Sequence, residues 1–309
     1  MECENATNTP NNFELLGFTY PKDLKFLLLF FFLLMYILSL SGNGLIILLV
    51  ALEPGLRKPM YWFLCHLSII DMMISSVVVP KLIQWLVNGN GVISYAGCVS
   101  QLFFFNVLGC AECLLYTVMA LDRFVAICKP LHYGTLMNHR VCICLAASAW
   151  FGGSLHSVIQ TSLTFRLPFG RGMLVSYIFC DIPALLKLAC ADTSLIETLS
   201  LLDPGILAMT CFLLILTSYV YIIFAILKIP SSKGRHRAVS TCTAHVTLVL
   251  IYYIPVLYNY LRPASQDSFD GVVGMFYTAV TPFLNPLIYT LRNKEMKDGL
   301  WKLCRRMFC

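Results

Sequence analysis

Residues 119 to 128 read Met119-Ala120-Leu121-Asp122-Arg123-Phe124-Val125-Ala126-Ile127-Cys128, a charged pair closing a long apolar run that begins near Cys98. Two charges inside hydrocarbon are costly, so a membrane helix carries Asp122 and Arg123 only at its end or for a function. The whole chain agrees with a membrane setting. It is 58% hydrophobic and 12% charged, with a mean hydropathy of +0.76, whereas a soluble globule is about a quarter charged. An ordinary soluble protein is excluded.

Outward from that run, seven spans can be drawn at roughly 24–52, 59–87, 98–129, 140–163, 196–229, 236–262 and 270–292. Each has the length needed to cross a bilayer with some tilt, about 20 residues. The first follows a polar opening without a basic n-region, so it reads as a retained span and not as a signal peptide. Fifteen of the 22 Lys and Arg fall in four groups, after spans one, three, five and seven. That is the positive-inside pattern for an outer N-terminus and an inner C-terminus, so the net charge of +6 points to the membrane surface and not to nucleic acid. The sequon Asn5-Ala6-Thr7 agrees with an outer N-terminus if it carries glycan. The expected fold is an all-α membrane protein, a seven-transmembrane helix bundle with a short amphipathic C-terminal helix. Residues 1–23 form the outer segment, 24–292 the bundle with a long outer loop at 164–195, and 293–309 the inner helix and tail. Met296, Leu300, Trp301, Leu303 and Cys304 fall near one face of that last helix, and Cys304 and Cys309 are candidates for palmitoylation.

The stretch at 119–128 resembles the inner end of the third helix of rhodopsin-like G-protein-coupled receptors, and in the olfactory branch the usual text is MAYDRYVAIC. Further segments match that family in order and at matching depths: Gly42-Asn43, Pro59-Met60-Tyr61, Leu67 to Asp71, Ser218-Tyr219, Arg237 to His245 (similar to KAFSTCxSH) and Pro282 to Tyr289 (similar to PMLNPLIY). Leu121 and Phe124 depart from the usual text. Losing the hydroxyl at Phe124 is expected to alter basal activity or coupling strength without removing the motif.

The resemblance implies roles for particular residues. Asp71 and Glu112 lie mid-span, where an unpaired carboxylate costs about 2.5 kcal/mol or more, so they must face the interior. With Asn43 and Asn285 they imply a polar network that holds a sodium ion in the resting receptor; a hydrogen-bonded network without an ion is the alternative. Arg123 pairs with Asp122 at rest and turns toward Tyr219 and a G protein when active, with Tyr289 the comparable tyrosine of span seven; the alternative is an arginine anchored at the headgroups. Pro255 and Pro286 each delete a helical hydrogen bond and favour a kink. Most olfactory receptors lack a proline at the first of these positions.

A ligand is expected in the outer half of the bundle. Helical spacing from Arg123 turns Phe105, Asn106, Gly109 and Cys110 toward the cavity. Span six offers Tyr253, Val256, Leu257 and Tyr260, and span seven offers Met275 and Thr278, with Tyr177 and Asp181 of the long loop as a lid. These suit a small, weakly polar, volatile molecule held by shape and one or two hydrogen bonds. No acid stands at Phe105, which argues against a biogenic amine. Asp203, followed by Pro204, either anchors a polar odorant or caps a proline-started helix. Cys98 and Cys180 both face the oxidising side and are expected to be joined. The family usually has a further loop cysteine where Gly170 stands, so Cys190 is expected to lack its usual partner, which puts a second loop disulfide in doubt.

The partners implied are an odorant, a stimulatory or olfactory-type heterotrimeric G protein contacting Arg123, Tyr219, Lys233, Arg235 and Arg237, and membrane lipid, with cyclic AMP as the output in the plasma membrane of olfactory cilia. A receptor for a lipid or peptide is a second reading. A transporter using Asp71 and Glu112 as a relay is a third, although neither inverted repeats nor paired broken helices are evident. No HExxH or GxSG text supports an enzyme. No cofactor is expected beyond the sodium ion.

Overall fold

The computed structural model describes residues 11–18, 20–170, 173–261 and 273–308. Among the described residues six helices are long and apolar enough to cross a membrane. They are α1 (Lys25–Leu52), α2 (Pro59–Asn88), α3 (Tyr95–Cys128), α5 (His139–Phe165), α7 (Ser194–Leu227) and α8 (Ser232–Leu261). The seventh span is described from residue 273, through a π-helical turn at Phe276–Val280 and α9 (Thr281–Arg292). Short helices α4 (Tyr133–Leu136) and α6 (Ile182–Leu186) lie in connections, and α10 (Lys294–Phe308) follows the last span.

Local chemistry sets the helix ends. Ser94 and Asn138 cap α3 and α5 by accepting from Gly97 N and Val141 N, each at 3.1 Å, which satisfies amides with no intrahelical partner. Asn293 does the same for α10 through Glu295 N at 2.9 Å. Helix α8 starts at Ser232, ahead of the expected 236, because Lys233 and Arg235 continue the helix beyond the apolar stretch.

The bundle wears its apolar side chains outward as well as inward. Phe26, Phe30, Ile206, Leu213 and Phe224 are all exposed, a surface that only lipid can cover. Close helix contact is permitted by small residues: a Cβ at Gly153 would lie 2.6 Å from Val107 O, so α5 seats directly against the α3 backbone.

One end of the bundle carries a small sheet that the sequence did not announce. Strand β1 (Asn12–Leu15) lies between β2 (Val92–Ser94) and β3 (Leu174–Val175). It runs antiparallel to β2, pairing Phe13 with Ile93, and parallel to β3, pairing Leu15 with Val175. Phe13 and Leu15 point inward and are buried, and Phe13 packs among the rings of Tyr95, Phe165 and Phe169 at 5.7–6.5 Å. The chain then turns at Gly17, whose positive φ of 69° and contact with the Trp85 indole both exclude a side chain.

A disulfide joins Cys98 at the start of α3 to Cys180, with Cα atoms 5.6 Å apart. Cys190 is disulfide-bonded as well. With Gly170 at the usual partner position, a second loop disulfide was in doubt; Cys190 is nonetheless paired, and the other half of that bond lies outside the described residues. At the opposite end, Met296, Leu300 and Leu303 of α10 dock onto the bundle, whereas Trp301 and Cys304 are exposed. The single face expected for these five residues is therefore split. Arg305 stacks on the free Trp301 ring at 4.8 Å, and Glu295 binds Lys58 Nζ at 2.6 Å and Tyr61 Oη at 2.9 Å.

Candidate functional site

Beneath the sheet, α3, the long loop and the seventh span converge on aromatic rings. Phe105 lies 4.6 Å from Phe179 and edge-on to Tyr277 at 5.9 Å, and Tyr177 meets Phe179 at 5.0 Å. Met275 packs in the same cluster, and the bare backbone of Gly274 leaves room for the Tyr177 hydroxyl. Next to Phe105, the Asn106 amide nitrogen is buried with no hydrogen-bond partner. A turn further on, Cys110 is buried. Deeper still, Tyr253 is buried against Phe212, its hydroxyl 3.1 Å from Cys113 Sγ. Val256 and Leu257 are half-buried beside it.

Several expected cavity residues are already engaged. The Gly109 carbonyl accepts from Tyr252 Oη at 2.9 Å and a Cβ there would meet Tyr277 Oη, so Gly109 is covered by tyrosines. Thr278 gives its hydroxyl to Gly274 O at 2.8 Å within its own helix. Asp181 accepts from Ile182 N at 2.9 Å and so caps α6; burial pushes its carboxyl up to about 6. Pro204 lies inside α7, which starts at Ser194, so the capping role weighed for Asp203 is corrected. Its carboxylate instead faces α5, 3.0 Å from His156 Nδ1 and 3.1 Å from Gln160 Nε2, with Ser200 completing the set at 3.2 Å from Gln160 Oε1. The Tyr260 side chain and Asn5 lie outside the described residues.

Mid-bundle, Asn285 Nδ2 donates to both Asp71 oxygens at 2.9 Å and reaches Tyr116 Oη at 3.4 Å. Tyr116 donates to Glu112 Oε1 at 3.2 Å, so one chain of contacts links both acids. Asn43 Nδ2 donates to Pro282 O at 2.9 Å, tying α1 to the seventh span where Pro286 and its neighbours loosen the helix. Three oxygens here, Asn43 Oδ1, Ser68 Oγ and Asn285 Oδ1, are buried with no hydrogen-bond partner.

At the end remote from the sheet, Arg123 Nη2 lies 3.5 Å from Asp122 Oδ2. Asp122 Oδ1 accepts from Tyr133 Oη at 2.8 Å. Burial first, then the adjacent carboxylate, push the Tyr133 phenol up, so it remains the donor. Tyr219 is turned to His245, with Oη 2.7 Å from Nδ1 and the rings stacked at 5.8 Å. Tyr289 Oη points at Met119 Sδ at 3.9 Å. Lys233 and Arg235 are exposed on the first turn of α8, and the Arg237 side chain lies outside the described residues. Tyr133, His245, Tyr116 and Tyr252 carry contacts that the sequence reading had not assigned. Only Tyr116 had a visible signal, its spacing of one helical turn from Glu112.

A family profile described as "Olfactory receptor" matches residues 32–307. The chain belongs to the olfactory receptor family. It is 57% identical to human Olfactory receptor 10G6 over 98% of this chain and 91% of that one. It is 50% identical to human Olfactory receptor 10G2, over 94% of each, and to mouse Olfactory receptor 10D1B, over 94% and 93%. Membership makes it a multi-pass plasma-membrane protein of a G-protein-coupled receptor family, and not an enzyme.

Proposed function

We propose that this receptor binds a small volatile organic molecule beneath the sheet and activates a stimulatory or olfactory-type heterotrimeric G protein, raising cyclic AMP. The observation that carries the reading is Asn106 Nδ2, a buried donor left without a partner beside the apolar wall of Phe105, Phe179 and Met275. A buried unpaired amide costs about 1–3 kcal/mol, which a ligand carbonyl or hydroxyl relieves. In this reading the sheet end faces outward, with residue 5 outside and α10 inside, and the receptor resides in olfactory cilia. The Arg123–Asp122 pair, with Tyr219 on His245, is the latched state. An odorant favours a second state because it fits that state better, freeing Arg123 for Tyr219 and the G protein, with Lys233, Arg235 and Arg237 alongside.

The test is a volatile panel read by cyclic AMP in transfected cells. For an odorant carrying an acceptor, Asn106→Ala is expected to weaken potency about tenfold at unchanged surface level. Arg123→Ala is expected to abolish the response. Full cyclic AMP signalling by the Arg123→Ala receptor overturns the proposal.

The same proposal assigns a sodium ion to Asp71 and Glu112 with Asn285. Hard cations take oxygen ligands, and the orphaned Asn285 Oδ1 and Ser68 Oγ fit that preference. Sodium is expected to raise the thermal midpoint relative to choline, and Asp71→Asn to erase the difference. An equal sodium effect in the variant removes the ion from the scheme.

A further inference from the structure

Away from the aromatic cup, on the outward surface of the bundle, α2 and α3 part near the sheet to leave a cleft of about 400 Å³. Val77 and Pro80 line one wall, Phe104 and Ile93 the other, and Lys81 lies within it. Pro80, Gln84, Ser100 and Phe104 are exposed, so the cleft opens to the lipid side and not into the cup. Lys81 is about 10 Å along α2 from its end at Asn88, at 1.5 Å per residue, a depth near the boundary of headgroup and acyl chain.

A lysine at that depth ordinarily stretches its ammonium to bulk water. Here the ammonium is tethered: it donates to Val92 O of β2 and to Gln84 Oε1 at 2.9 Å. Among the described residues no carboxylate pairs with it. An ammonium has three donors, so these two bonds leave one unused in a residue that lines the cleft. A fixed, unneutralised cation at the head of an apolar slot matches an amphiphile with one anionic head and one chain. The volume is at the small end for ligand sites, which run from about 300 to 1,000 Å³. That suits a single acyl chain.

We propose that this cleft is a binding site for a fatty-acid anion from the surrounding lipid, its carboxylate on Lys81 and its chain between Val77 and Phe104. The site is wired to the lid. Gln101, at the cleft floor, donates from Nε2 to Val77 O at 2.9 Å and accepts from Cys180 N at 2.9 Å through Oε1. Occupancy therefore stiffens the loop that roofs the cup, through Gln101 on one side and the Val92 strand on the other. Gln101 joins cleft and loop directly, whereas the β2 strand of Val92 reaches the loop strand β3 through β1.

The experiment uses the full chain in phosphatidylcholine nanodiscs, with bound amphiphile counted by native mass spectrometry and amide exchange followed at the loop. Oleate is expected to bind as one equivalent about fivefold more tightly than uncharged oleyl alcohol, the effect of one lysine near a membrane surface. Lys81→Gln is expected to erase that preference and Lys81→Arg to keep it. Ser100→Trp, which fills the cleft but leaves the cup intact, is expected to abolish the bound equivalent even where Lys81→Gln proves unstable. Oleate is expected to slow exchange at Cys180 in the parent but not in Ser100→Trp. Equal binding of acid and alcohol, oleate binding that survives Ser100→Trp, or a site that takes phosphatidylglycerol and refuses oleate would each overturn the proposal.

Discussion

At the sheet end of the bundle, Phe13 and Leu15 are buried among stacked rings, three strands share main-chain hydrogen bonds, and Cys98–Cys180 ties loop to helix. At the other end, Arg123 and Asp122 meet at 3.5 Å, Arg123 Nε, Asp122 Oδ2 and His245 Nε2 have no hydrogen-bond partner, and Tyr219 is committed to a single histidine. The first end is held by covalent and apolar terms, which do not exchange partners readily. The second is held by a few polar contacts, each with an obvious competitor nearby. In the proposed mechanism the roof is kept and the floor rearranges, because orphaned polar atoms favour any state that satisfies them.

The largest effect that sharpens this contrast is expected at the covalent tie. Cys98→Ser opens a link spanning 82 residues, and loss of such a disulfide costs about 2–5 kcal/mol. The thermal midpoint in detergent is expected to fall by several degrees, with little signalling receptor at the surface. A variant that melts with the parent would show that the sheet and rings alone hold the roof.

At the floor the expected effects are on signalling more than on folding. Asp122→Asn removes the charge that restrains Arg123 and is expected to raise basal cyclic AMP several-fold; an unchanged baseline would mean that the pair is not a latch. Tyr133→Phe deletes only the 2.8 Å hydrogen bond to Asp122. A bond to a charged group contributes about 1.5–3 kcal/mol, shared here between two states, so a smaller rise of about twofold to fivefold is expected. If Tyr133→Phe exceeds Asp122→Asn, the tyrosine and not the arginine is the restraint.

The same contrast separates what the chain made legible from what it did not. Spans α1 to α3 could be drawn from composition and length because hydrocarbon imposes both, and Asp71, Glu112 and Asn285 had to meet because none is tolerated alone. The sheet was hidden: β1 is four residues long, too short for its alternation of Phe13 and Leu15 to stand out, and its partners come from two distant loops. Asp203 with His156, and Asp122 with Tyr133, were hidden for a related reason. Each joins segments whose relative rotation a single sequence does not encode. Helical spacing put Asn106 and Gly109 on one face of α3; in the structure the Asn106 amide nitrogen is buried without a partner, whereas Gly109 is met by Tyr252 and Tyr277, which a reading of α3 alone does not bring to it.

The smallest expected effect tests the roof by pH. The Asp181 carboxyl stands at about 6 in the folded loop because of burial, above the roughly 3.9 of an unfolded chain. Between those values the folded loop holds more protons than the unfolded one. Its contribution is therefore full below about pH 4 and lost as pH rises through about 6. Asp192, at the start of α7, runs the other way: the Ser194 backbone N–H holds its carboxyl below the usual range, so its contribution is lost as pH falls. Asp181→Asn keeps a side-chain oxygen for Ile182 N and removes one titration while leaving the other. Amide exchange at Ile182 and Leu185, corrected for intrinsic rates, is expected to show parent protection falling between pH 5 and 7, with a flat profile in the variant. Identical profiles would mean that the Asp181 carboxyl is wet, and that this corner of the roof is looser than its aromatic centre.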